Sequence, residues 1–167
     1  KLIDAVRLHL RADVSVGSCL SGGLDSSSIV CIVNKLLREH GVHDLQKTFS
    51  ACADIKKYDE RKWIEIVVNA TNVDAHYVYP PLSGLFDESS KITWHQDEPF
   101  GSTSIFAQWK VFELAGKQQT KVMLDGQGAD EQLAGYHGFF GPHLGALLRA
   151  GKFSNLITEV RAMKRQH

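Results

Sequence analysis

Cysteine is scarce and odd in number, with Cys19, Cys31 and Cys52 the three in 167 residues. No pair has Cys-x-x-Cys spacing, and Cys19 and Cys31 sit inside apolar segments. Neither a disulfide scaffold nor a thiolate metal centre is expected; reduced thiols of a cytoplasmic protein are. Net charge is also lacking. Lys plus Arg is 19 and Asp plus Glu is 19, which removes the electrostatic footprint of a nucleic-acid partner. No apolar run approaches the ~18 residues of a membrane span, and no basic-then-apolar leader opens the chain. A hydrophobic fraction of 43% is that of an ordinary globular core. The length is that of one domain or most of one. The chain opens on Lys1 and ends in a basic stretch (Arg161, Lys164, Arg165), so we expect a piece of a longer polypeptide.

What is present alternates between two periods. Short β-prone runs lie at residues 14–20, 47–53, 75–79 and 121–124. Between them the apolar residues recur at helical spacing. Leu2, Ile3, Val6 and Leu10 mark a first helix over 1–12. Ile29, Val30, Val33, Leu36 and Leu37 mark a second, with serines at its start and Gly41 at its stop. A third, over 59–71, places Trp63, Ile64, Val67 and Val68 toward the core behind an Asp59 N-cap. Helical stretches follow near 83–95 and 103–116, the latter with Ile105, Trp109 and Phe112 on one face. A short helix runs through Gln132 and Leu133, and residues 154–163 form a last one with Ser154 as cap. The glycine-rich segment 135–151 carries no clear period. Strands alternating with helices predict βαβ units, hence an α/β fold with a doubly wound parallel sheet and helices on both faces. In that chain order the first and fourth strands lie side by side at the switch point.

The sharpest motif is Leu20-Ser21-Gly22-Gly23-Leu24-Asp25-Ser26-Ser27-Ser28, between a predicted strand and a predicted helix. A helix N-terminus offers unpaired amides and a positive dipole end. Adjacent glycines let the backbone approach an anion closely, and Ser21, Ser26 and Ser27 add hydroxyls at the same point. This is a phosphate cradle. Asp25 would repel phosphate unless a divalent cation bridged the two, as Mg²⁺ does in nucleotide sites. A serine-rich cap after a Gly-Gly turn would explain the serines but not Gly-Gly and Asp together. No GxxxxGK[ST] string occurs. Gly126-Gln127-Gly128 begins like GxGxxG but meets Glu131 where the third glycine belongs.

The second motif, residues 124–136, reads LDGQGADEQLAGY. Glycines make a tight turn after a strand, and Asp130 and Glu131 open the next helix. Alone it is equally a turn with acidic caps. The eight histidines are scattered; His40 and His43 lie near a helix end, and Tyr136-His137 and His143 flank glycines. None pairs at i, i+4 with a carboxylate on a clear helix, so zinc is not expected. Trp94-His95-Gln96-Asp97-Glu98-Pro99 reads as a capped helix end before Pro99. Arg161–Arg165 reads as a solvated helix face.

SGGLDSS resembles the PP-loop of the N-type ATP pyrophosphatases (adenine nucleotide alpha hydrolase-like fold), which cleave ATP between its α- and β-phosphates. Together with DGQGADE it resembles the synthetase domain of asparagine synthetase over about residues 1–140. Phe49-Ser50-Ala51, Asp59-Glu60-Arg61 and Asp97-Glu98-Pro99 also match that family, and for the segment Trp94–Pro99 the resemblance implies an acceptor-side contact as the alternative to a capped helix end. The resemblance implies that residues 1–167 are part of an ATP-pyrophosphatase domain, with a glutaminase domain and a C-terminal part belonging to the longer chain. It implies ATP and Mg²⁺ as cofactors. Leu20, Ser21, Gly22, Gly23, Asp25, Ser26, Ser27, Ala51 and Gly126 would hold ATP and pyrophosphate, and Asp25 and Asp130 the metal. Gln127 and Glu131 would be catalytic. The implied partners are aspartate and ammonia, the latter from the glutaminase domain, with a homodimer possible for the whole protein.

Two departures bear on the chemistry. The family commonly has glutamate where this chain has Gln127, and an amide orients a nucleophile without accepting its proton. Lactam-forming and lasso-peptide cyclases, which attack the adenylate with an internal amine, are therefore an alternative, as is a non-catalytic nucleotide-binding domain. Residues 141–167 also show no context for the family's phosphate-contacting lysine. Lys152 and Lys164 read as surface residues, so residues 1–167 alone are expected to bind Mg-ATP weakly and not to turn over.

Overall fold

A computed structural model describes residues 1–42, 44–81, 83–133 and 136–166. His43 and Gly135, the glycine of the Gly-Tyr pair, lie outside the described residues. The chain divides into two compact units, residues 1–126 and 127–167.

The first unit is built on four parallel strands, β1 (Val16–Cys19), β2 (Lys47–Ala51), β3 (Asp74–Val78) and β4 (Val122–Leu124), ordered β3-β2-β1-β4. The pairings Val16↔Val122, Gly17↔Met123 and Ser18↔Leu124 set β4 beside β1, as the switch-point argument expects. Parallel strands require crossovers, supplied here by α2 (Leu24–Glu39), α3 (Arg61–Thr71), α4 (Gly84–Gln96) and α5 (Thr103–Lys117) after the leading α1 (Leu2–His9). On one face Leu20 packs with Val30 of α2 and Ile64 and Val67 of α3. On the other, Phe49 packs with Val111 and Ala115 of α5. The sheet is thus covered on both faces.

The α2/α3 face carries an unusual stripe. Ser18 and Thr48 are register partners, and with Ser50 and the adjoining Gln46 they are buried. Gln46 Nε2 donates to Ser18 Oγ at 3.0 Å and Ser50 Oγ to the Leu20 carbonyl at 2.6 Å. The Ser18 and Ser50 hydroxyls thus have partners, whereas Thr48 Oγ1 and Gln46 Oε1 are buried without one, a costly arrangement.

Several expectations about faces and caps need correction. Trp63 is 54% exposed and Phe112 is 42% exposed. The buried residues of α5 are Phe106, Val111 and Ala115, and Leu2 and Ile3 of α1 are exposed. Each of these helices turns a narrower stripe to the core than its count of apolar residues suggests. The N-cap of α2 is Gly23, so Ser26, Ser27 and Ser28 lie inside the helix. Helix α3 starts at Arg61, with Asp59 accepting the Arg61 backbone N–H at 3.1 Å from just outside. Asp97 is the left-handed C-cap of α4, which accords with the capped-end reading of the segment before Pro99.

The second unit contains α6 (Ala129–Leu133), α7 (Phe140–Arg149) and α8 (Phe153–Gln166). The segment without a clear period therefore holds a ten-residue helix. Gly141 and Gly145 interrupt its apolar spacing. Helix α8 starts at Phe153, one residue before the expected cap, and Arg161, Lys164 and Arg165 are exposed on it.

Helices α4 and α5 are clamped by charge. Lys110 Nζ donates to Glu88 and, at 3.0 Å, to Glu113; Trp109 Nε1 donates to Glu88 at 2.9 Å. The Lys110 hydrogen bond, aided by Trp109, holds the Glu88 carboxyl below the usual carboxylate range. A carboxyl depressed in the folded state contributes stability above its unfolded pKa of ~4.3 and loses it as pH falls through the folded value. Glu88→Gln is expected to cost about 1–2 kcal/mol at pH 7, a fall in Tm of roughly 2–8 °C, and to make the acid limb of the Tm–pH curve shallower. A curve superimposable on that of the unsubstituted protein would refute the clamp.

Candidate functional site

The SGGLDSS loop leaves the carboxyl end of β1 and becomes the first turn of α2. Its shape is held from within. Ser21 N–H donates to Ser26 Oγ at 3.2 Å, the two hydroxyls lie 3.0 Å apart, and Gly23 N–H donates to Ser21 Oγ at 3.3 Å. The first helical bond runs from Ser27 N to Gly23 O at 3.1 Å. The amides of Leu24, Asp25 and Ser26 precede it and have no intrahelical acceptor. Ser27 Oγ is buried without a protein hydrogen-bond partner.

The two glycines have different tasks. Gly22 has φ +82°, and a Cβ there would lie 2.7 Å from Trp63 Cβ and 3.0 Å from Ile64 N. The loop therefore rests directly on the first turn of α3, which gives the half-exposed Trp63 a structural role that its apolar character alone did not reveal. Gly23 has φ −68° and ψ 164°, and a Cβ there would meet only Ser21 Oγ, at 3.4 Å.

The second motif reaches this loop through Gly126. A Cβ on Gly126 would stand 3.0 Å from Asp25 Cβ and 3.1 Å from Ser26 N. A bare residue at 126 therefore keeps the Ser26 amide uncovered. Leu20 is buried; its N–H donates to Phe49 O at 3.0 Å and its carbonyl accepts the Ser50 hydroxyl. What its backbone has left to offer a nucleotide is the second lone pair of that carbonyl. Ala51 closes β2, half-buried, in register with Val78. All the expected ATP-binding residues of the first unit thus lie at the carboxyl ends of β1, β2 and β4, where open α/β sheets bind ligands.

Gln127, Asp130 and Glu131 belong to the second unit. Asp130 and Glu131 occupy the first turn of α6, behind Gly128 at φ +86°. Tyr136 Oη donates to Glu131 Oε1 at 3.1 Å, and this bond raises the Tyr136 pKa.

Two further clusters flank the strand ends. Arg61 donates to both oxygens of Asp59 at 2.8 Å and lies over the Tyr79 ring at 5.8 Å, holding the Asp59 carboxyl below the usual range. Asp125, at the end of β4, accepts from Gln108 Nε2 at 3.2 Å. Burial, reinforced by Asp125, pushes the Cys19 thiol pKa up. Sequence reasoning gave Asp125 and Gln108 no role. The available signal was that Cys19 and Asp125 each sit directly against a motif on strands predicted to be neighbours.

Comparison with known proteins bears on what such a loop serves. The profile of the asparagine synthase family matches residues 1–166. The chain belongs to that family. A Methanocaldococcus jannaschii relative, provisionally named glutamine-hydrolysing asparagine synthetase 2, is 39% identical over 135 residues, covering 81% of this chain and 25% of the relative. Glutamine-hydrolysing asparagine synthetase 1 of Bacillus subtilis is 33% identical over 136 residues, covering 81% and 20%. The amidase chyE of Penicillium rubens is 31% identical over 148 residues, covering 83% and 22%. The chain spans about a fifth to a quarter of the length of these relatives.

The unequal roles of the loop glycines can be measured. Gly22→Ala forces a left-handed backbone and a collision with α3, and is expected to destabilise by about 1–3 kcal/mol in urea melts. Gly23→Ala should leave the melting midpoint within about 0.5 kcal/mol. Equal costs for the two would sink the distinction.

Proposed function

We propose that this chain is the adenylating part of an ATP-dependent, amide-forming synthetase that converts aspartate to asparagine. The observation that carries this is the bare Gly126 beside the uncovered Ser26 amide, in a loop whose buried Ser27 hydroxyl lacks a protein partner. A triphosphate is the kind of ligand that such donors fit. The serine hydroxyls and loop amides bind the leaving pyrophosphate, and the strand ends at Leu20, Ala51 and Gly126 take the adenosine.

In the proposed reaction a side-chain oxygen of aspartate attacks the α-phosphorus, and the bond to the β-phosphate oxygen breaks. Ammonia then attacks the acyl carbon, releasing AMP. Positioning and charge stabilisation supply the catalysis. Among the described residues no three His, Cys, Asp or Glu side chains form a ready-made metal cage, and Mg²⁺ on a nucleotide takes most of its ligands from phosphate and water. Asp25 of the loop and Asp130 of the second motif would each offer it a carboxylate oxygen, and when bound it would neutralise phosphate charge. Gln127 orients the nucleophile through its amide. Glu131, oriented by Tyr136, is the turn's proton acceptor. On this reading residues 1–167 are part of an ATP-pyrophosphatase domain. The whole protein is cytoplasmic, draws ammonia from its own glutaminase domain, and has a homodimer as its assembly.

One observation favours a second reading. Gln127 stands where the family commonly has glutamate, so an adenylate attacked by an internal amine, as in lactam-forming and lasso-peptide cyclases, is the runner-up.

ATP–pyrophosphate exchange in the full-length protein tests both. Aspartate-dependent exchange is expected; exchange driven by another carboxylate would favour the cyclase reading, and none at all a non-catalytic nucleotide binder. Asp25→Asn should raise the Kd for Mg-ATP about tenfold or more by calorimetry. Glu131→Gln should retain exchange while slowing amide formation by roughly 10²–10⁴; loss of exchange with it would remove Glu131 from the acceptor step.

A further inference from the structure

The end of β4 is tied to α5 by a contact that the proposed reaction does not use directly. Asp125 is exposed, yet its carboxylate accepts from Gln108 Nε2 at 3.2 Å. Gln108 is half-buried on α5, and α5 is anchored through Val111 and Ala115 on Phe49 of β2. On the strand side, the residue before Asp125 is fixed by the Ser18↔Leu124 pairing of β4 with β1. Asp125 is therefore held by its side chain from a helix and follows directly on a paired strand residue.

The residue that follows is Gly126, in contact range of Asp25 and Ser26. A glycine has broad backbone freedom, so its position depends on what holds its neighbours. Rotation of the Asp125 backbone would carry Gly126 against or away from the Ser26 amide. A tether on the Asp125 side chain resists that rotation from the strand side. Burial of α5 fixes the donor end, so the order of the turn derives from the core rather than from the turn itself.

We propose that Gln108 is a positioning residue: through Asp125 it sets Gly126 against the SGGLDSS loop and so keeps the anion-facing amides in register for a nucleotide. The proposal rests on the nucleotide reading of that loop. Its mechanical half, the tether, stands on geometry alone.

Three variants of the full-length protein test it: Gln108→Leu, which removes the donor at similar volume; Asp125→Asn; and the exchange Gln108→Glu with Asp125→Asn, which restores the hydrogen bond with donor and acceptor reversed. Two quantities are read, amide hydrogen exchange at Gly126 and Ser26 without ligand, and the Kd for Mg-ATP. Gln108→Leu is expected to speed exchange at Gly126 and weaken Mg-ATP roughly three- to tenfold, the loss of one hydrogen bond, with Tm nearly unchanged. The reciprocal exchange should bring both back to within about twofold. Unchanged exchange and affinity in Gln108→Leu, or failure of the reciprocal pair to restore them, would overturn the proposal. Should the unsubstituted protein not bind Mg-ATP, the nucleotide reading fails separately, and exchange at Gly126 alone then decides whether Gln108 holds the turn.

Discussion

The parallel ladder between β1 and β4 is the constraint on which the rest depends. These strands are separated by about a hundred residues of chain, yet the Ser18↔Leu124 pairing sets their carboxyl ends next to each other. The SGGLDSS loop then receives a glycine as its neighbour instead of a side chain. Were β4 on the far edge of the sheet, Gly126 would be an ordinary turn residue and the SGGLDSS loop an ordinary helix start.

The architecture was legible because its signals are local and redundant. Four short β-prone runs separated by helical periods leave few topologies open, and the expected pairing of the first and fourth strands follows from their order. Which face a side chain presents was less legible. Trp63 has the spacing of a core residue but packs beside Gly22 and stays half in solvent. Only the approach of α3 to a loop forty residues earlier accounts for it, and periodicity within a helix carries no information about that approach.

The loop residues were readable as a set, but their division of labour was not. Gly22 and Gly23 look equivalent in a motif; one needs the left-handed region and a bare Cα, the other needs neither for folding. Ser26 closes the loop on Ser21, whereas Ser27 keeps a buried hydroxyl without a protein partner. Hydrogen-bond geometry separates these roles, and it depends on distances of a few tenths of an ångström that composition does not encode. Asp125 and Gln108 escaped notice for a related reason, since their link spans seventeen positions and joins a helix side to a strand end.

The hydroxyl stripe beneath α2 and α3 has one more consequence. In an all-aliphatic sheet, a two-residue slide of β2 along β1 would still bury oily side chains and differ little in energy. Here such a slide would part Gln46 from Ser18 and Ser50 from the Leu20 carbonyl, stranding polar atoms in a dry interior. The serines thus act as a ruler: they make misaligned sheets expensive, and so reserve the correct alignment for the strand whose tip bears the loop.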